Sequence, residues 1–175
     1  MKESFQKLFQ QLLKDIKIEL DDEFDRNFER KAFFTTAWKA EKHSTIGSLL
    51  MRTGALRKSL QSTIVGNSAI RWQSSLPYAS IHNEGGKITV TQKMKGFFWY
   101  RYRVASGNNP KNLNAEALFW KAMALKKIGS EIVIPKRQFI GEHQVVHQTI
   151  RTVTDEWFNT DVKQYLDREL NNMVK

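Results

Sequence analysis

Phe5, Leu8, Phe9, Leu12, Leu13, Ile16, Leu20, Phe24 and Phe28 recur at spacings of three and four, and no other feature restricts the fold of this chain as much. Residues so spaced meet on one side of an α-helix, so the run predicts a long amphipathic helix with a continuous apolar stripe. That stripe must pack on something that follows it. The opposite face carries Lys14, Asp15, Asp21, Asp22 and Arg26, which read as solvated charge rather than as metal ligands.

Next, Phe33-Phe34 and Trp38 read as an aromatic anchor holding a loop onto the body, and residues 44–47 as irregular. Leu49, Leu56 and Leu60 fall on one side of a short helix over residues 49–60, weakened by Gly54. From Gln61 the period changes. Thr63-Ile64-Val65 and residues 69–73 are β-rich and flank Gly66-Asn67-Ser68, which predicts a hairpin. Residues 76–86 form a small-residue and aromatic cluster at the midpoint: Pro77 suits a first helical position, and Gly85-Gly86 a stop. Two helical turns are expected there, with Tyr78, Ile81 and Gly85 facing a sheet and His82 along its edge.

Residues 87–91 read as a strand, and Thr91 as the cap of a helix over residues 92–105. Residues 106–112 form the clearest loop, of a composition compatible with disorder. A helix over residues 115–128, with Leu118, Met123 and Leu125 apolar, stops at Gly129, and residues 131–134 form a strand ending at Pro135. The last element, residues 143–174, is helical through Val146, Ile150, Val153, Trp157, Val162, Tyr165 and Leu170, and Asn159-Thr160-Asp161 offers a break.

A chain of 175 residues with 41% hydrophobic content, including 11 Phe and 5 Trp, can build one domain around a substantial core. It has no cysteine, which excludes disulfides and thiolate metal sites. Lys2, Glu3, Lys7 and Lys14 interrupt the first apolar residues, so no signal peptide is expected, and no apolar run approaches the ~18 residues of a membrane span. A soluble protein, cytoplasmic where it is made and without membrane contact, is expected. The net charge of +10 is concentrated: residues 87–137 hold 11 Lys and Arg against Glu116 and Glu131. Residues 15–31 hold 7 acidic and 4 basic residues. A basic middle of this kind attracts polyanions or an acidic protein surface.

Several patterns resemble enzyme sites and fail on chemistry. His143 and His147 have the two-histidine spacing of zinc peptidases on a helix, but Gln144 stands where the general base would be, and no third ligand accompanies them. His82-Asn83-Glu84 mimics the His-x-Glu of zinc deaminases, whose site also needs cysteines. Gly85-Gly86 lacks the other glycines and the Lys-Ser/Thr pair of a phosphate loop. No catalytic residue, metal or cofactor is expected.

Phe97-Phe98-Trp99-Tyr100-Arg101-Tyr102-Arg103 interleaves aromatics with arginines, a combination able to stack on bases and hold phosphates. The competing expectation is that Met94, Phe97, Phe98 and Arg101 form one helical stripe packed on the sheet. Lys93, Lys95, Arg101 and Arg103, with Lys121, Lys126 and Lys127 further on, would then face DNA or a partner protein without reading sequence. Such phosphate contacts weaken sharply with salt.

Three segments in order carry a resemblance: residues 52–59, Arg-Thr-Gly-Ala-Leu-Arg-Lys-Ser; then, after the hairpin, residues 78–85, Tyr-Ala-Ser-Ile-His-Asn-Glu-Gly; then residues 134–141, Ile-Pro-Lys-Arg-Gln-Phe-Ile-Gly. Together they resemble the phage virion morphogenesis family, tail-completion or neck proteins of tailed bacteriophages and prophages, over about residues 49–150. The family commonly has Gln where this chain has Asn83, and Pro-Ala-Arg-Pro-Phe where it has Pro135-Lys136-Arg137-Gln138-Phe139. Residues 87–133 look like a long insertion.

The resemblance implies an α+β subunit, a small antiparallel sheet packed with long N- and C-terminal helices, in a single domain over residues 1–175. Residues 1–47 would be the N-terminal helix and anchor, 48–86 and 131–150 the family-like core, and 87–130 the basic insertion. It implies structural work in tail completion or head–tail joining, in the host cytoplasm during assembly and then in the virion. Other neck or tail proteins and further copies of the chain, arranged as a ring, would be the partners. Its motif residues here are Thr53, Gly54, Leu56, Ser59, Tyr78, Ala79, Ile81, His82, Gly85, Pro135, Arg137, Phe139 and Gly141. Thr53-Gly54 and Gly85-Gly86 would set turns, Tyr78 and Ile81 would seat the central turn, Arg137 would fork onto a backbone or carboxylate acceptor, and Phe139 would be buried beside it. The alternative is a non-sequence-specific nucleic-acid-binding protein using residues 93–103.

Overall fold

The structure, a computed structural model, describes residues 2–40, 50–51, 53–107, 109, 111 and 114–173. The expected irregular segment 44–47 and Leu49 lie outside the described residues, as do Arg52, parts of loop 106–112 and Val174. The architecture is α+β, with long helices at both ends.

The first run folds as predicted into one helix, α1 (Lys2–Arg30). Leu12, Leu13, Ile16, Leu20, Phe24 and Phe28 are buried, while Phe5 at its start is half-exposed. After α1 the chain turns sharply through β1 (Ala32–Phe33) and β2 (Thr36–Ala37), an antiparallel pair. Phe33, Phe34 and Trp38 are all buried, so the aromatic anchor is real. Asn27, fully buried on α1, accepts from the Phe34 N–H at 2.9 Å and donates to the Phe139 carbonyl at 3.2 Å.

The helix expected over residues 49–60 shrinks to one turn, α2 (Ala55–Lys58). Leu50 and Gly54 both have left-handed φ, 56° and 67°, which interrupts any longer helix. Leu60 instead opens β3 (Leu60–Val65), which pairs with β4 (Ala69–Ser74) in the predicted hairpin. One face of this hairpin is half-buried by strict alternation, and its Ile70 and Trp72 pack on the α1 core.

Asp21 ties that hairpin to α1. Its carboxylate accepts from Ser62 Oγ and Trp72 Nε1, each at 2.6 Å, and from Lys17 Nζ at 2.9 Å. Asp21 is therefore a structural acceptor and not the solvated charge its helix face suggested. Its neighbour Asp22 is exposed, 3.7 Å from Arg26.

The central cluster gives α3 (Ala79–Glu84), which starts two residues after Pro77 and not at it, with Tyr78 as its N-cap. β5 (Gly86–Thr89) follows directly and pairs with β6 (Glu131–Ile134). The strands form three separate two-stranded ladders among the described residues, rather than one sheet.

Between β5 and β6 rises a helical hairpin, α4 (Gln92–Ser106) and α5 (Ala115–Ala124). Thr91 caps α4 by accepting from the Met94 N–H, as expected. Asn114 caps α5 through the Ala117 N–H at 2.8 Å and also donates to the Ala105 carbonyl at 2.7 Å, joining the two helices. The aromatic stripe of α4 packs on α5 and not on a sheet: Phe98 stacks on Trp120 with ring centroids 6.1 Å apart. The helix expected over residues 115–128 ends at Ala124. Ala117 and Ala124 are fully buried, while Leu118 and Leu125 are exposed, because close helix approach favours the small side chain at the contact.

The C-terminal run divides into α6 (Gln144–Trp157), a π-helical segment (Phe158–Val162) and α7 (Lys163–Met173). Asn159-Thr160-Asp161 therefore distort the helix without ending it. In a π turn backbone carbonyls lose their i+4 donors, and here Asn159 and Thr160 side chains donate to the carbonyls of Asp155 and Glu156 at 2.8 and 2.5 Å. α6 lies along α1, burying Val146 and bringing Ile150, Val153 and Trp157 onto the core cluster that includes Leu12, Ile16 and Leu20.

Candidate functional site

The three ordered segments lie far apart in the chain and meet in space. Leu56, Ala79 and Phe139, one from each, share a single apolar cluster with Phe28 and Trp38. Phe139 is 1% exposed and packs against Phe28, ring centroids 5.2 Å apart.

Polar contacts fix this junction in register. The Arg137 N–H donates to the His82 carbonyl at 2.8 Å. Asn83 Oδ1 accepts from the N–H groups of Phe139 and Ile140, at 2.9 and 3.2 Å. Trp38 Nε1 donates to the Gln138 carbonyl at 2.6 Å, and the buried Arg137 guanidinium donates from Nε to the Lys39 carbonyl at 3.2 Å. The segment after Pro135 is thus held by bonds from α3, α1 and the β1–β2 region. It needs no strand of its own.

Gly85 permits a close backbone approach. It sits at φ 76° and ψ 175°, a region open essentially to glycine alone, and a Cβ there would lie 2.8 Å from the Lys136 nitrogen. Gly141, at φ 137°, would set a Cβ only against the movable end of the Gln138 side chain.

The remaining motif residues divide into supports and surface. Thr53 Oγ1 accepts from the Ala55 N–H and Gly54 supplies the left-handed turn into α2. Ser59 Oγ lies 2.7 Å from Ser74 Oγ, linking the open ends of β3 and β4. Ile81 is half-buried against Gly86. Tyr78 does not seat α3: it is 42% exposed and lies edge-on to His82 at 6.0 Å, while Ala79 takes the buried place. A small side chain at that point lets α3 approach the cluster. Asn27, Asn83 and Asp21 are the polar residues that sequence reasoning missed; an amide among small residues beside Gly85-Gly86 is the only local hint.

The histidine pair has a structural explanation. His143 lies outside α6 as its N-cap, its Nδ1 accepting from the Val145 N–H at 3.2 Å, and its ring stacks on Phe34 at 4.6 Å. His147 is exposed.

The basic arm forms the second part of the site. Lys93, Arg103 and Lys127 are exposed, and Lys95 and Lys126 are half-buried. Arg101 is turned inward: it pairs with Glu116 at 3.0 Å and lies 5.0 Å over the Trp120 ring. Lys121 sits over Tyr102 at 5.9 Å. Phe97, Trp99, Tyr100 and Val104 remain between 38% and 57% exposed beside these cations.

The model of the phage virion morphogenesis family matches residues 9–159. The chain belongs to that family. The match reaches beyond the span carried by the three motifs, taking in most of α1 and all of α6, the two helices that enclose the core. The matched span also includes the α4–α5 arm and ends before α7. No curated protein and no solved structure matches the chain. Family membership makes this a bacteriophage virion morphogenesis protein, associated with the virion, with a structural or assembly role. No helix among the described residues is long and apolar enough to cross a membrane.

Proposed function

We propose that this virion morphogenesis protein acts in tail completion or head–tail joining, as a rigid subunit that binds copies of itself and other neck or tail proteins in the host cytoplasm. The observation that carries this reading is the junction itself. Leu56, Ala79 and Phe139 are used to lock three segments into one rigid body, with Asn83 and Arg137 spent on backbone groups. Residues so engaged shape a scaffold, and the work of recognition falls to surfaces, chief among them the basic α4–α5 arm.

The test is reversal of Lys93, Lys95 and Arg103 to Glu in the phage. Arg101 is left alone because it holds Glu116 and Trp120. Particles should stall without completed tails or joined heads while the purified chain remains folded, and full infectivity would overturn the reading.

A second reading, non-sequence-specific nucleic-acid binding, draws on the exposed Phe97, Trp99 and Tyr100 beside the same cations. It requires binding to random duplex that falls steeply with salt.

A further inference from the structure

Among the described residues, α4 and α7 each leave an apolar stripe that is half or more exposed, with Phe97 in a single edge contact to Trp120 on α5, ring centroids 5.9 Å apart. On α4, Phe97, Tyr100 and Val104 stand at i, i+3 and i+7, and are 52%, 56% and 57% exposed. On α7, Leu166, Leu170 and Met173 stand at i, i+4 and i+7, and are 50%, 60% and 65% exposed. Each is a narrow apolar stripe of the kind one helix presents to another. Within the molecule α4 packs on α5, and α7 continues the π-helical segment and reaches α1 through Tyr165 and Phe5.

The borders of the two stripes have opposite charge. α4 carries Lys93, Lys95, Arg101 and Arg103 and no acidic residue. α7 carries Asp167 and Glu169 beside its stripe, with Lys163 one turn before it and Arg168 on the far face. Lys93 extends the α4 stripe by one turn and Arg103 lies beside it, while Asp167 and Glu169 lie on either side of the α7 stripe.

We infer that the α7 face of one copy docks on the α4 face of a second copy. This rests on the assembly role proposed above and names its self-contact. Burying both stripes removes exposed apolar surface from water, and the opposed charges set the orientation of the two helices. A contact between two different faces of one chain is heterologous, so it repeats from copy to copy until a rotation closes it. Nucleic acid is the poorer occupant. It offers no aliphatic surface to Val104, it leaves the α7 stripe uncovered, and Arg101 and Lys121 are already committed to Glu116, Trp120 and Tyr102.

The absence of cysteine makes the contact directly testable. Tyr100→Cys and Leu170→Cys, introduced into separate full-length chains of different tagged mass and mixed under oxidising conditions, should give the mixed disulfide dimer. Lys93→Glu with Arg103→Glu should weaken self-association about tenfold or more, as should Asp167→Lys with Glu169→Lys, each read by sedimentation at low salt. All four changes in one chain should restore association, which general unfolding or loss of solubility would not allow. No mixed dimer, or no recovery in the fourfold variant, overturns the interface. So does a Lys93/Arg103 reversal that abolishes duplex DNA binding and leaves self-association intact. If these outcomes fail in chains that still complement particle assembly, the interface alone falls. If they succeed in chains dispensable for particles, the assembly role falls and the interface stands.

Discussion

Asn83 and Phe139, 56 residues apart, are joined by a 2.9 Å hydrogen bond from the Phe139 N–H to the Asn83 side-chain oxygen, and the same oxygen takes the Ile140 N–H. One amide thus satisfies two backbone donors in a segment that has no strand partner. Asn83→Ala should cost about 2 kcal/mol or more, because each stranded N–H carries a desolvation penalty of ~1–3 kcal/mol. Asn83→Asp keeps the acceptor and should retain most of the stability. Urea unfolding of the two variants checks the difference.

The glycines separate by what surrounds them. Gly85→Ala forces a left-handed φ and a contact with the Lys136 backbone, and should destabilise by more than the ~1–3 kcal/mol of backbone strain alone. Gly66→Ala, at φ 61° with open space around it, should lose only ~1–2 kcal/mol. Gly96 lies within α4 with nothing near its missing Cβ, so Gly96→Ala should raise stability by about 0.5–1 kcal/mol. Thermal melts of the three single variants should fall in that order.

Adjacent aspartates on α1 should behave differently. Asp21→Ala removes the acceptor shared by Ser62, Trp72 and Lys17, and about 2–4 kcal/mol of stability should be lost with a change in Trp72 fluorescence. Asp22→Ala, at an exposed and loosely paired position, should stay within about 0.5 kcal/mol of wild type.

Arg57 reaches back from α2 to Asp25 and Glu29 on α1. Hydrogen bonds to Asp25, then to Glu29, raise its pKa above the ordinary arginine value. A raised pKa stabilises the fold at all pH values below the unfolded pKa, and the gain fades only as pH climbs through the folded one. Both lie beyond the working alkaline range, so no loss of stability from this group is expected on raising the pH from neutral to mildly alkaline. Arg57→Gln should cost roughly 0.5–1 kcal/mol, since the pairs are partly exposed, and ~1 M salt should shrink the difference.

Local periodicity carried α1, the β3–β4 hairpin, the Thr91 cap and β6, because each depends on residues within a few positions of one another. It overran α5, expected to reach residue 128 and ending at Ala124, and it gave no sign that Ala117 and Ala124 rather than Leu118 and Leu125 lie at the contact. It failed also at residues 49–60, where left-handed φ at Leu50 and Gly54 is invisible to a hydrophobic pattern. The site was legible as three ordered segments but not as a junction. Asn27, Asn83 and Asp21 act on partners remote in sequence, and an amide or carboxylate gives no sign of which distant backbone group it will meet.

The π-helical segment sets the phase of everything after it. The α6 stripe of Val146, Ile150, Val153 and Trp157 would run onto Asp161 and Gln164 in an unbroken α-helix, whereas one additional residue brings Val162 and Tyr165 into line instead. Residues 158–162 therefore act as a one-residue spacer. Excising Asn159 should restore a continuous α-helix without turning either side of it, whereas inserting a further residue there should swing Leu166, Leu170 and Met173 to a new bearing relative to α1.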